Sequence, residues 1–296
     1  MPGSTLSSRA RLFQGAAFVL ASEALLAIMA AIIKHLSLGL PNEMLVFFRN
    51  LFGLVVIAPI ALRHGPRALT TNRLHLHVLR ATAGVGAMYC YFYTISSIPL
   101  AQAVLFKLTA PFFIPLIALA WLSERLPPTT LIAIAIGFAG VALILQPGLS
   151  GIPLAGVIGL AGAALAGAAK VAIRAMGATE PAPRIVFYFG SLATAVSAIP
   201  LLWAWQTPTA SALGWLALMG LSATSAQLLL TRAYSIAPAG RIGPFSYVAV
   251  IYSSLLGWLI WGEIPGLLTM AGSLLITAAG ILTLYRPKPP IAPRVS

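Results

Sequence analysis

The chain has 296 residues, 59% of them hydrophobic and 8% charged, with 18 Lys+Arg against five acidic residues and a formal net charge of +13. So few charges cannot cover the surface of a soluble protein of this size. The cations stand singly between apolar stretches, with no basic run or basic helix, which excludes a nucleic-acid surface. Cys90 is the only cysteine, so a disulfide framework and a cysteine metal site are both excluded. There is no aspartate, and no phosphate-binding glycine loop ending in Lys-Ser or Lys-Thr, which argues against an ATP-driven pump within the chain.

Apolar runs of about 20 residues, enough to cross a hydrocarbon core as a helix, recur from end to end. The period-two alternation of a membrane barrel is absent. The fold class expected is all-α integral membrane, with ten transmembrane helices.

The first helix spans 12–36, after Arg9 and Arg11. Its apolar run, from Leu12 to Ile33, is too long for a signal peptide. Glu23 lies about halfway along, where an ionised carboxylate must be paired, neutral or facing water. It reads as a proton-coupling group or an anchor for a substrate ammonium, or else as a member of a structural ion pair. The second helix, 43–62, carries Glu43 and Arg49, six residues apart and poorly placed to share a face. Arg49 is expected to anchor the helix near the interface.

The third helix, 73–96, places Tyr89, Tyr93 and Ser96 on one stripe. The fourth, 99–121, carries Gln102, Lys107, Pro111 and Pro115. Lys107 is a candidate for a substrate carboxylate or for pairing with Glu23, against snorkelling of its stem to the interface. The two prolines mark a bend, serving either packing or gating. The fifth helix spans 128–146 and the sixth 153–177. On the sixth, Ala155, Gly159, Ala163 and Gly167 form a small-residue ridge suited to close packing, and Lys170 is placed to line the path or reach the interface.

The seventh helix spans 182–203, the eighth 211–235, the ninth 241–261 and the tenth 266–285. Gln227, Thr231 and Tyr234 repeat the stripe spacing on the eighth, as do Tyr247, Ile251, Ser254 and Trp258 on the ninth. Such stripes suit a cavity for a small zwitterion, and equally ordinary packing or an interfacial belt. The first eight residues or so and the tail from Pro287 are expected to be disordered. The histidines His35, His64, His75 and His77 lack metal-ligand spacing, and no metal or cofactor is expected.

With the N-terminus inside, 14 of the 18 Lys+Arg fall in cytoplasmic segments and adjoining helix ends, as the positive-inside rule requires. Both termini are then cytoplasmic. The chain also repeats itself. Pro99 and Glu124 lie 25 residues apart, as do Pro238 and Glu263. Phe106, Ala110 and Leu116 match Phe245, Ala249 and Leu255, and Lys34 faces Arg174 more faintly upstream. Gly140 and Pro147 share the seven-residue spacing of Gly280 and Pro287. Five helices per repeat is odd, so the second copy enters from the opposite side, giving two inverted five-helix repeats. The divisions are 1–11 for the N-terminal tail, 12–147 and 148–286 for the repeats, and 287–296 for the C-terminal tail.

These features carry a resemblance. The repeats, Phe47-Phe48-Arg49, the stretch from Pro99 to Pro111, and Leu122-Ser123-Glu124-Arg125-Leu126 resemble the EamA-type branch of the drug/metabolite transporter superfamily. The likeness covers roughly residues 12–286. In the second repeat Phe189 stands where the first has Arg49. The resemblance implies a secondary carrier of small metabolites, often an amino-acid exporter, with a central cavity and alternating access.

The function expected is export of amino acids or similar small organic metabolites across the inner membrane, with no enzymatic activity. Glu23, Lys107, Tyr89, Tyr93, Gln227, Tyr234 and Tyr247 are the candidates for binding or coupling. Arg49, Pro111, Pro115 and Lys170 are the structural or gating candidates. The partners expected are a small-molecule substrate and the lipid bilayer, and a monomer is compatible with these features. The rival readings are uptake or exchange of a larger cationic metabolite such as S-adenosylmethionine, a lipid-modifying membrane enzyme, and a non-transporting scaffold.

Overall fold

A computed structural model describes residues 8–62, 70–123, 126–146, 153–176 and 179–284. Arg63, His64, Arg67, Glu124, Arg125, Pro147 and most of both tails lie outside the described residues. Among the described residues every regular element is helical. These are α1 (Ser8–Leu36), α2 (Asn42–Leu62), α3 (Leu74–Ser97), α4 (Leu100–Lys107), α5 (Ala110–Leu122), α6 (Pro128–Leu145) and α7 (Leu154–Met176). They continue with α8 (Ala182–Ala198), α9 (Leu201–Ala204), α10 (Ala210–Ile236), α11 (Ala239–Ile242), a 3-10 turn (Gly243–Tyr247), α12 (Val248–Trp261) and α13 (Leu267–Leu284).

Seven spans are long and apolar enough to cross a membrane by length and composition, and α8 and α13 contain shorter apolar helices. α3 is long enough but less apolar, since it carries His75, His77, Arg80 and three tyrosines.

Three of the expected helices are interrupted. The fourth breaks at Leu108-Thr109, between α4 and α5. Pro111 has no N–H for the carbonyl of Lys107, and its ring crowds that carbonyl. Thr109 Oγ1 donates to the Phe106 carbonyl at 2.6 Å and holds the turn. Pro115 stays inside α5. The ninth opens as α11 and the 3-10 turn, with Pro244 in the turn's first positions. The seventh stops at Ala198, and Pro200 separates it from α9. Ser123 and Gly262, the residues before Glu124 and Glu263, both adopt left-handed backbone, with φ of 54° and 69°.

The main packing pairs are α3 on α7, α1 on α10, α6 on α13, α2 on α8, α2 on α10, α3 on α8, α5 on α7 and α12 on α1. Exchanging α1, α2, α3, α4–α5 and α6 with α7, α8–α9, α10, α11–α12 and α13 turns every pair in this set into another member or into itself. At the α6–α13 crossing the two backbones come close together. A Cβ on Gly272 would stand 2.6 Å from the Gly140 carbonyl oxygen, and one on Gly140 would stand 2.8 Å from that of Gly272.

Ion clusters tie the two ends of the bundle. At one end Lys34 of α1 pairs with Glu263, between α12 and α13. Lys34 also donates to the Ile98 carbonyl at 3.0 Å, and the Leu100 N–H donates to Glu263 Oε2 at 2.8 Å. The Trp261 ring lies 5.3 Å from the same ammonium. At the other end Glu180, before α8, is buried and accepts from Thr71 Oγ1 at 2.9 Å and from Arg184 at 3.0 Å. His77 Nε2 stands 3.4 Å from the same carboxylate, with its ring stacked on Tyr188.

Burial alone would raise the Glu180 carboxyl, but the hydrogen bonds from Arg184, Thr71 and His77 outweigh it and hold the group below the usual carboxylate range. A depressed carboxyl stabilises the fold above its unfolded pKa of about 4.3, and that contribution is lost as pH falls through the lower folded value. Glu180→Gln should therefore lower the unfolding temperature in detergent at pH 7. Its difference from the parent should shrink below about pH 4 as the parent carboxylate protonates. Gly272→Ala should cost about 1–3 kcal/mol, because two backbones must separate. Gly214→Ala, which meets open space within 4 Å, serves as the control in the same unfolding series.

Candidate functional site

A cavity of about 350 Å³ lies inside the bundle. On α3 its lining is Arg80, Gly84, Ala87, Met88 and Tyr91, a single helical face. On α7 it is Gly159, Gly162, Ala163, Ala166, Ala169, Lys170 and Ile173, again one face. Arg49 of α2, Lys107 at the end of α4, Phe189 of α8 and Gln227 of α10 complete it. The small residues of α7 do two things. Gly159 and Gly162 let the helix approach Phe106 and Cys90 closely, and their missing side chains leave room for the cavity.

A second pocket of about 120 Å³ shares Arg49, Arg80, Phe189 and Gln227 with the first. It adds the polar groups of Asn50 and Thr224. Arg49 Nη1 donates to Asn50 Oδ1 at 3.2 Å, and Asn50 Nδ2 donates to Ser197 Oγ at 3.4 Å. The Arg80 guanidinium lies 3.9 Å from the centre of the Phe189 ring, and its buried Nε has no hydrogen-bond partner.

Glu23, 5% exposed, stands beside the cavity. Ser246 of the 3-10 turn is its hydrogen-bonding neighbour, and the charges of Lys107 and Lys170 act on it. Lys107 and Ser246 occupy matching positions of the sequence repeat, and each lies at a helix break. The interrupted fourth and ninth passes thus each bring a residue beside a helix break to the same carboxylate. Broken helices beside a polar site are a recurrent arrangement in carriers, because irregular backbone is tolerated at membrane depth only where it lines a cavity or is buried in protein.

Among the described residues no carboxylate lies within ion-pair distance of Arg49, Arg80, Lys107 or Lys170. Removing such charges from water without a partner costs several kcal/mol per ion. The cavity is therefore a cationic chamber, and the Glu23 carboxylate acts on its two lysines. Among the described residues no group of three or more His, Cys, Asp or Glu side chains could hold a metal ion.

The residues singled out from the sequence separate in the structure. Lys107, Lys170, Arg49 and Gln227 line the cavity, and Glu23 borders it. Arg49, expected as an interfacial anchor, lines both pockets. Pro111 and Pro115 shape the pass that ends Lys107 at the chamber.

Gln227 apart, the stripe residues lie outside the lining. Tyr89 is half-buried against the apolar core, Tyr93 is 37% exposed, and neither belongs to the lining. Tyr234 lies in a separate pocket with Arg11 and Arg241. Tyr247 is buried among Phe106, Phe112 and Ile276, with its hydroxyl in the space left by Gly280. Gln102 donates to Thr269 outside the chamber. Tyr91, Arg80 and Phe189 escaped the sequence reading. The spacing 80, 84, 87, 91 on α3, with small residues at its centre, is the signal that identifies the face.

Comparison with known proteins agrees with this architecture. The model of the EamA-like transporter family matches residues 13–146 and again 153–285. The pseudopaline exporter CntI of Pseudomonas aeruginosa (strain UCBPP-PA14) is 33% identical over 257 residues, covering 86% of this chain and 90% of the relative. A riboflavin transporter of Brucella anthropi is 28% identical over 251 residues, 82% of this chain and 88% of its own. An S-adenosylmethionine uptake transporter of Rickettsia bellii is 25% identical over 263 residues, 88% and 90% of the two chains. A solved protein structure superimposes with a TM-score of 0.60 over 94% of this chain and 98% of its own at 20% identity, which shows a shared fold alone. With its helical membrane spans and an interior chamber, the chain is a membrane transporter and belongs to the EamA-like transporter family.

Proposed function

We propose that the chain is a secondary carrier that exports amino acids or similar small organic metabolites across the inner membrane by alternating access. The observation that carries this reading is the chamber between the two family-model stretches, where Lys107, Ser246 and Glu23 meet at the breaks of two passes. The inverted repeat of 12–147 and 148–286 is supported by the exchange symmetry of the helix pairs. The left-handed residues at Ser123 and Gly262 support it too. With both termini cytoplasmic, the Glu263 cluster closes the outer end and the Glu180 cluster the inner end. Each joins one stretch to the other, so rocking of the halves breaks one tie at a time.

Export follows the exporter among the relatives. Uptake of a cationic metabolite is the second reading, favoured by the relatives named for S-adenosylmethionine. The uncompensated cations of the chamber repel such a cargo and weigh against it. A carrier rather than an enzyme is supported by the relatives' names.

The test is counterflow of labelled amino acids into proteoliposomes holding unlabelled pools. Accumulation is expected, and Glu23→Gln should reduce it about tenfold or more while the variant elutes and melts like the parent. Failure of every amino acid in folded protein would reject this cargo. Unchanged flux in the variant would remove Glu23 from the path.

A further inference from the structure

The chamber's charges fall into two groups. Lys107 and Lys170, from α4 and α7, act on one another and on Glu23. Arg49 and Arg80, from α2 and α3, act on one another across the other side, where Phe189 carries Arg80 on its face. The lysine group has its own carboxylate, so it matches a zwitterion, with an ammonium for Glu23 and a carboxylate for the lysines. The arginine group has none.

Its neighbours Asn50, Thr224 and Gln227 are neutral, and Arg80 keeps a buried Nε without a partner. Two guanidiniums lining one pocket repel one another, and an anion bound between them relieves that repulsion. Their planar forks suit a carboxylate or a comparable oxyanion. The 120 Å³ pocket that shares both arginines with the main cavity leaves room for such a group.

We propose that the cargo is a net-anionic amino-acid-like metabolite whose second carboxylate is gripped by Arg49 and Arg80, while its amino-acid end sits at Glu23, Lys107 and Lys170. This rests on the transporter reading and narrows it. The cargo class excludes neutral amino acids as good ligands and S-adenosylmethionine as a ligand at all. Glu23 then selects for the amine, so simple dicarboxylates without one bind more weakly than their amino counterparts.

The experiment compares acids with their own amides, which differ in charge and hardly in shape. Glutamate against glutamine, and 2-aminosuberate against its ω-amide, cover a short and a long spacing between the two ends. Binding to the purified full chain in nanodiscs is read as ligand-induced thermal stabilisation, with counterflow run in parallel. For at least one spacing the acid should bind tenfold or more tighter than its amide. Arg49→Gln and Arg80→Gln should remove that ratio with little effect on the amide, whereas Lys107→Gln should weaken both. Arg49→Lys keeps the charge and should keep much of the preference, which guards against variants that merely fail to fold.

Equal binding of acid and amide at both spacings overturns the proposal. So does an arginine variant that stays folded and retains the acid preference. An acid preference without flux upholds the anionic site while removing the transport reading. Flux of neutral or cationic solutes indifferent to the arginines does the reverse.

Discussion

Four cations held inside an apolar bundle, with one carboxylate beside them, are the constraint on which the rest of this structure depends. Each must keep contact with water, a ring or a polar neighbour, because a bare charge in hydrocarbon is too costly to maintain. The protein meets that demand with a chamber. Small residues along α7 and at Gly84 and Ala87 of α3 leave the volume, while the rings of Tyr91 and Phe189 face Lys107 and Arg80. The same glycines that create space also let α3 and α7 pack closely where the chamber ends. Packing and cavity are thus two consequences of one choice of side-chain size.

The interrupted passes follow from the same requirement. A continuous helix presents no free backbone, so a turn at membrane depth must be sheltered by protein. The turn at Leu108-Thr109 and the 3-10 segment before α12 sit where the two halves meet, with Thr109 and the buried ring of Tyr247 filling the ground around them. Polar clusters at the two ends do the complementary work. They join segments far apart in the chain, Lys34 to Glu263 and Thr71 with His77 to Glu180, through charges partly withdrawn from solvent.

The membrane class, the helical character and the family were legible in composition, run length and repeat spacing, because hydrocarbon thickness imposes length and charge cost on the sequence directly. Glu23, Lys107 and Lys170 were legible for the same reason, as ionisable groups at depth. The tyrosines of the three stripes lie elsewhere. Helical periodicity says which residues share a face, but Tyr89, Tyr93 and Tyr247 share faces that meet core or the outside of the bundle.

Arg80 illustrates the opposite error. Six residues from the start of α3, it counted as a helix-end cation in the charge rule, yet it lines the chamber against Phe189. Phe189 itself, standing in the repeat where the first half has Arg49, looked like the loss of a motif and is instead the partner of a second arginine. Which side of a helix faces the chamber depends on the rotation of each helix against its neighbours, and that is set by side chains far apart in the chain. Local sequence encodes the cost of a charge in lipid. Only the packed bundle decides which charges share water and face one another.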